Sequence, residues 1–433
     1  MDKSKKILKR LELLHPKKID LSLNRLRKLL DKLNNPQFKL PPIIHIAGTN
    51  GKGSVISYLR TIYEESGFKI HTYTSPHLIR FNERIRLNSK LITDKYLSAL
   101  LEECEEKNNG EAITFFEITT AAAFLAFSRK KSDLILLETG LGGRYDATNI
   151  IEDSICSVLT PISMDHMNFL GSSLIKIANE KIGILKKDSS VILSKQKTSV
   201  RELVRTQAKK KNIKLYEEGR EWEILKRYKN SFKMRFNEKI FEFVKPNLHG
   251  THQIDNAGVA IATIFALNNL SVNNNQINKA IQKVNWPGRL QKLNRGKLQE
   301  IIGKNFEIWV DGGHNIHAAE IISSEIKVWD QQKIILILGM ISGKDPIKFL
   351  KKIGNTISLL ILLPIDDHQY IHPYEIKENI NKSSINNIEI ETCLNIYDAL
   401  NLILERFSKG KVLICGSLYL AGQILENDGF KIK

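Results

Sequence analysis

Residues 48–54 read Gly-Thr-Asn-Gly-Lys-Gly-Ser, a set of residue types able to hold a polyphosphate. The glycines let backbone N–H groups approach the anion, Lys52 can reach its outer phosphates, and Ser54 can ligate Mg²⁺. The spacing departs from the usual phosphate loop: only Thr49 and Asn50 separate Gly48 from Gly51-Lys52, and Gly53 stands between Lys52 and Ser54. Glu138 closes the apolar run Leu134–Leu137 and is followed by Thr-Gly-Leu-Gly-Gly. An acid at the carboxyl end of a buried strand is placed to hold Mg²⁺ beside the phosphates, although a strand-terminal glutamate facing water is common. Asp165-His166 follows another apolar run, and His166 is a candidate metal ligand or positioning residue.

The elements around these residues follow from hydrophobic patterning. The run Ile43–Ala47 stops at Gly48 and a helical pattern starts at Val55, so the loop lies between a strand and a helix N-terminus. That context makes Thr49, Asn50, Gly51, Lys52, Gly53 and Ser54 the candidate ATP-contacting set. Strands are expected at 43–47, 69–74, 134–138, 155–160 and 191–193, with helices after the loop, near 116–129 and near 175–185. This alternation predicts an α/β fold, a doubly wound and mostly parallel sheet with ligands at the carboxyl ends of its strands. Between about 216 and 244 the pattern becomes short and alternating, which predicts a small antiparallel β subregion. Trp286-Pro-Gly-Arg289 punctuates the chain. A second alternating series, beginning at 306, predicts a smaller Rossmann-like α/β domain. The expected division is residues 1–290 and 296–433.

Composition narrows the function classes. At 433 residues, with 42% hydrophobic and 26% charged residues, the chain fits a globular protein of two or three domains. No apolar run is long enough to span a membrane, and the lysine-rich start reads as an amphipathic surface helix rather than a signal peptide. Four scattered cysteines with no CxxC pair suit a reducing cytoplasm. The net charge of +18 is spread along the chain without a zinc finger or RNA-binding aromatic motif. Nucleic acid and membrane are therefore not expected partners, and the positive field suits anionic small molecules.

The segment Gly48–Ser54 resembles the ATP loop of folylpolyglutamate synthases, within the Mur ligase superfamily. Ser75-Pro-His-Leu78, with Arg80, Asn82 and Glu83, resembles that family's second signature. Further similarities run nearly to the C-terminus. The resemblance implies two Mg²⁺ ions, one held by Ser54, Ser75 and Glu138, the other near Glu138, His166 and Lys181. Glu180-Lys181-Ile-Gly-Ile resembles the segment that carries a CO₂-carbamylated lysine, and a monovalent cation is a further expectation. Asn256, Arg289 and Asp311 are implied as nucleotide contacts. His314 is expected to face the phosphates or the glutamate amine. Gly339-Met340 with Lys344-Asp345 and Cys415-Gly-Ser417-Leu-Tyr-Leu-Ala-Gly422 complete the pattern. Ser417, with His314, is a candidate for glutamate binding, or else simply a helix N-cap.

Asp20-Leu21-Ser-Leu23 and Thr114-Phe-Phe116-Glu117 resemble segments lining the dihydropteroate pocket of bifunctional dihydrofolate synthase/folylpolyglutamate synthases. Leu21, Thr114, Phe116, Asp146 and Ala147 are the candidate pterin-side residues, with Phe116 stacking on the ring and Asp146 accepting hydrogen bonds from it. The implied activity is an ATP-dependent carboxylate–amine ligase that adds L-glutamate to dihydropteroate and to reduced folates through an acyl phosphate. Lys52, His166, Lys181 and His314 are its candidate catalytic groups, and a monomer is expected. The alternatives are a monofunctional folylpolyglutamate synthase, another Mur-type ligase, a basic nucleic-acid-binding ATPase, and a folate-binding protein without catalysis.

Overall fold

The computed structural model describes residues 3–17, 19–329, 334–354, 356–383, 385 and 388–432. The chain divides into two compact units, one formed by 1–247 with 253–284 and the other by 248–252 with 285–433.

The first unit is built on an eight-stranded sheet of β1 (Ile43–Ala47), β2 (Ile70–Tyr73), β3 (Ile85–Leu87), β4 (Lys90–Leu91), β5 (Leu134–Glu138), β6 (Cys156–Leu159), β7 (Ser190–Leu193) and β8 (Lys214–Glu217). Their order is β4-β3-β2-β5-β1-β6-β7-β8. The six strands from β2 to β8 run parallel, and β3 and β4 add an antiparallel edge. The central strands are apolar on both faces because helices cover both: every residue of β1 and β5 is buried. One face packs Leu26, Leu29, Leu97, Leu101 and Phe124 from helices Asn24–Lys32, Asp94–Asn108 and Phe115–Arg129. Further along the same face pack Ile177, Val200 and Val204 from helices Leu174–Ile182 and Thr198–Lys210, while the alternate residues Ile44, Ile46, Leu134 and Leu136 are buried on the other face. β1 lies between β5 and β6, so the chain leaves it in both directions and the carboxyl ends of these strands form the switch-point crevice.

A separate three-stranded antiparallel sheet, β9 (Trp222–Arg227), β10 (Ser231–Phe236) and β11 (Lys239–Val244), is the expected β subregion. It starts later than the patterning suggests. Tyr216 belongs to β8, a half-exposed edge strand whose first residue faces water and which therefore shows no continuous apolar run.

The second unit is a six-stranded sheet of β12 (Gln291–Leu293), β13 (Phe306–Val310), β14 (Ile334–Leu338), β15 (Ile357–Leu362), β16 (Glu389–Thr392) and β17 (Gly410–Cys415), ordered β12-β13-β17-β14-β15-β16. Only β12 is antiparallel. Packing moves the boundary from residue 290 to 284/285. Gly312 N–H donates to Gly288 O, Leu290 N–H donates to Asp311, and β12 pairs with β13. Residues 248–252 also join this unit, through Thr251, whose N–H and hydroxyl both donate to Glu325 Oε1 at 2.6 Å. The stretch His249–Asn256 is thus divided between the units. No described helix is long and apolar enough to cross a membrane.

Candidate functional site

The loop after β1 is held by its neighbour β6. Thr49 N–H donates to Pro161 O, while the Thr49 hydroxyl donates to Ser163 O and accepts from Ser163 N–H. Thr49 therefore shapes the loop. Gly51 turns the chain into helix Lys52–Glu65 with φ of +88°, a conformation that favours glycine. A Cβ there would lie 2.7 Å from Asn256 Oδ1, which places Asn256 against the loop.

Three charged side chains converge at this point. Lys52 Nζ donates to Gly48 O at 3.2 Å and to Thr49 O at 3.4 Å, and lies 3.9 Å from Glu138 Oε1. Lys181 Nζ, which is buried, donates to the same Gly48 carbonyl at 2.9 Å. Burial, reinforced by the neighbouring charge of Lys52, pushes the Lys181 amine down to about 7, and Asp165 and Asp146 act in the opposite direction. Glu138 accepts Ser75 N–H at 3.1 Å, and the Ser75 hydroxyl is buried without a protein partner.

Serine hydroxyls and a carboxylate are hard oxygen donors of the kind Mg²⁺ takes, and an unpartnered buried hydroxyl is what such an ion would complete. Among the described residues no three His, Cys, Asp or Glu side chains gather as a metal cage. An ion here would rely on phosphate oxygens and water, as Mg²⁺ commonly does. His166 stands apart from this cluster in burial. Its side chain is 40% exposed, its backbone is left-handed, and its ring lies 4.0 Å from Asp165. Asp165, whose charge bears on Lys181, is the member of that pair the sequence reading left without a role.

The two segments read as pterin-side are tied together by Arg25, which patterning did not single out. Its guanidinium pairs with Glu117 at 3.1 Å and with Asp20 at 3.0 Å. Leu21 and Leu141 pack on the core that holds Ala47 and Leu170, and Phe116 and Ala147 belong to the neighbouring core on the same face of the sheet. Phe116 stacks on Tyr73 at 6.0 Å. Thr114 and Asp146 use their side chains internally. Thr114 forms a capping box with Glu117. Asp146 accepts from Leu141 N–H, Thr148 N–H and the Thr148 hydroxyl. Arg84 is a second missed residue: a nearly buried cation over the rings of Phe81 and Phe115, donating to His77 Nδ1 at 2.9 Å. Its signal is faint, because it follows a quoted motif as one more charge.

In the second unit the candidates gather at the carboxyl ends of β13 and β17. Asp311 accepts Leu290 N–H at 2.7 Å and Gly313 N–H at 2.6 Å. His314 Nδ1 is 3.0 Å from Gly312 O, and because a carbonyl only accepts, that nitrogen carries the hydrogen. A Cβ on Gly312 would meet Leu418 at 2.3 Å and Arg289 Nη1 at 2.9 Å, so only glycine fits between them. Ser417 caps helix Leu418–Asn427, accepting from Tyr419 N–H.

A phosphate loop flanked by a strand-terminal acid and a buried lysine, on a doubly wound sheet followed by a second α/β unit, defines a Mur-type ATP-dependent ligase. The Mur ligase middle domain matches residues 46–264, and the dihydrofolate synthetase C-terminal domain matches 292–427. The chain is 32% identical to the dihydrofolate synthetase of Saccharomyces cerevisiae, over 94% of this chain and 97% of that one. It is 30% identical to the dihydrofolate synthase/folylpolyglutamate synthase of Haemophilus influenzae, over 95% and 94%. The structure of Escherichia coli FolC in complex with DHPP and ADP superposes with a TM-score of 0.86 at 26% identity, covering 98% of this chain and 97% of that one. The chain belongs to the dihydrofolate synthase/folylpolyglutamate synthase family of Mur-type ligases.

Proposed function

We propose that the protein passes the γ-phosphoryl group of ATP to a carboxylate of dihydropteroate or of a folate glutamate tail. The amine of L-glutamate then displaces phosphate from the acyl phosphate, giving an amide, ADP and inorganic phosphate. The observation that carries this reading is the convergence of Lys52, Lys181 and Glu138 on the loop 48–54. Lys52 exchanges its carbonyl contacts for the outer phosphates of ATP. Asn256 contributes to the nucleotide site from beside Gly51. The relative from Escherichia coli, bound to DHPP and ADP, supports both a nucleotide and an acceptor site.

Mg²⁺ held by Ser54, Ser75 and Glu138, with a second ion toward Glu138, His166 and Lys181, would neutralise charge as the phosphoryl group moves between two anions. Two ammonium groups on one carbonyl repel each other, and a Lys181 amine lowered to about 7 has a large neutral fraction at physiological pH. A neutral amine is what CO₂ adds to. Carbamylation of Lys181 would turn the repulsion from Lys52 into attraction and supply two further oxygens for the metal. Leu21, Phe116 and Ala147 give the pterin an apolar wall that Thr114 and Asp146 shape. His314 is assigned to L-glutamate, and the first-turn N–H groups behind Ser417 suit its carboxylate.

A second reading is a dihydrofolate synthase only. It is favoured by the match of the second unit to the dihydrofolate synthetase C-terminal domain and by the yeast relative of that name. One experiment separates the two: phosphate release and product mass with ATP, Mg²⁺ and L-glutamate, using dihydropteroate or tetrahydrofolate as acceptor. A gain of one glutamyl group on both supports the bifunctional ligase. A gain on dihydropteroate alone supports the narrower enzyme, and a gain on neither rejects both.

A further inference from the structure

His45 lies in the middle of β1, three residues before Gly48, and is fully buried. Its ring Nε2 is 2.8 Å from the Thr148 hydroxyl, and that hydroxyl in turn meets Asp146 Oδ1. The direction of this chain follows from chemistry. Burial raises the Asp146 carboxyl above its ordinary range, while the N–H groups of Leu141 and Thr148, one on each oxygen, act the other way and favour the ionised form. An ionised carboxylate only accepts, so the single Thr148 hydroxyl proton goes to Asp146. His45 Nε2 must then be the donor to Thr148. Nδ1 is buried without a partner, as expected for a neutral imidazole whose one hydrogen is on Nε2. Burial, with the charge of Lys186 nearby, holds the ring uncharged by bringing it down to about 3.

The series of hydrogen bonds ends at Asp146, in the loop that follows β5. Asp146 holds the turn that begins at Leu141. Asn149, three residues on, donates from its side chain to Arg144 O and Gly183 O, tying the turn to the end of the helix that carries Lys181. The charge of Asp146 also bears on the Lys181 amine. We infer that His45 is a positioning residue: its Nε2–H fixes the Thr148 hydroxyl, which aims the Asp146 carboxylate and holds the turn 141–149 on the acceptor side of the loop. This rests on the reading of Ala147 and Phe116 as the acceptor wall.

The test uses the full-length protein and the variants H45L, H45Q and T148V. Glutamine offers an N–H near the position of Nε2, and leucine offers none. H45L is expected to lower kcat/KM for the acceptor about tenfold or more, the size of a lost hydrogen bond to a charged network, with KM for ATP moved by less than about threefold. H45Q should recover to within about threefold of the wild type. H45L should add little in a T148V background, because both act through one hydroxyl. If H45L does not fold, T148V alone carries the turnover test, with the same loss of kcat/KM for the acceptor expected and KM for ATP again little moved. Long-range ¹H–¹⁵N spectra of the wild type, assigned with H45Q, should show the Nε2–H tautomer whether or not any acceptor is turned over. An Nδ1–H or doubly protonated ring, an H45Q no better than H45L, or full additivity with T148V would overturn the inference. Absence of turnover in the wild type would sink the proposed function instead and leave the tautomer to decide.

Discussion

The carboxyl end of the first sheet and that of the second are both switch-point surfaces lined by candidate residues, yet their side chains are used differently. In the first unit, Lys52 and Lys181 crowd one carbonyl and Glu138 stands within 3.9 Å of Lys52, an arrangement that costs stability in exchange for charge where phosphates would sit. In the second, Asp311 and Ser417 are engaged with backbone N–H groups of their own turns. The first cluster is reactive in the sense that its charges conflict until a ligand resolves them. The second is a scaffold that presents backbone. Residue type at a strand end therefore does not separate chemistry from architecture; what the neighbours already satisfy does.

Substitutions test that contrast directly. Lys52→Ala should lower phosphate release by ~10³-fold or more while the melting temperature changes little, because the group acts on phosphates rather than on the fold. Substantial turnover would remove the phosphate-loop assignment. Glu138→Gln should cost about 10²-fold in kcat and shift the Mg²⁺ concentration needed for half-maximal rate upward, measured by metal titration. An unchanged metal dependence would place the ion elsewhere. In the second unit the signature should reverse. Asp311→Ala should lower unfolding free energy by about 2 kcal/mol, since the buried Leu290 N–H and the partly buried Gly313 N–H lose their acceptor. Ser417→Ala should cost about 1 kcal/mol as a lost N-cap. Chemical denaturation reads both, and a Ser417→Ala variant that kept its stability but lost glutamate affinity would move Ser417 from scaffold to contact.

The smallest effect concerns a control within the first sheet. Glu218, just beyond β8, is pushed up to about 7, first by burial and then by the charge of Asp255. Its folded pKa lies above the unfolded value. Its contribution to stability is therefore full below the ordinary carboxylate range and lost as pH rises through about 7. Glu218→Gln should flatten the decline of melting temperature over that window and leave turnover unchanged. A change in turnover would mean that a perturbed acid at this edge, and not only at the β1 loop, takes part in chemistry.

Legibility from sequence varied with how local the cause was. The bounds of β1 and β5 coincide with their apolar runs, 43–47 and 134–138, because interior parallel strands are apolar on both faces and the runs stop at glycine or an acid. β8 escaped because an edge strand is apolar on one side only. The boundary near residue 290 shifted because Leu290 is claimed by Asp311, a partner 21 residues away. His45 is a polar residue within the apolar run 43–47; its partner Thr148 is 103 residues on, and nothing in its own neighbourhood signals the bond.

The sequence by itself determined the phosphate loop, the alternation that makes two parallel sheets, and the identity of the acids and lysines near the strand ends. These are short-range matters of spacing and hydrophobic period. Tertiary structure alone decided which of those groups meet. It set Lys181 on the Gly48 carbonyl 133 residues away, gave Asp146 and Thr114 internal partners, and joined the segments at 20 and 117 through Arg25. The physical reason is that burial and charge proximity, which set protonation and reactivity, arise between residues distant in the chain and have no period for a sequence to display.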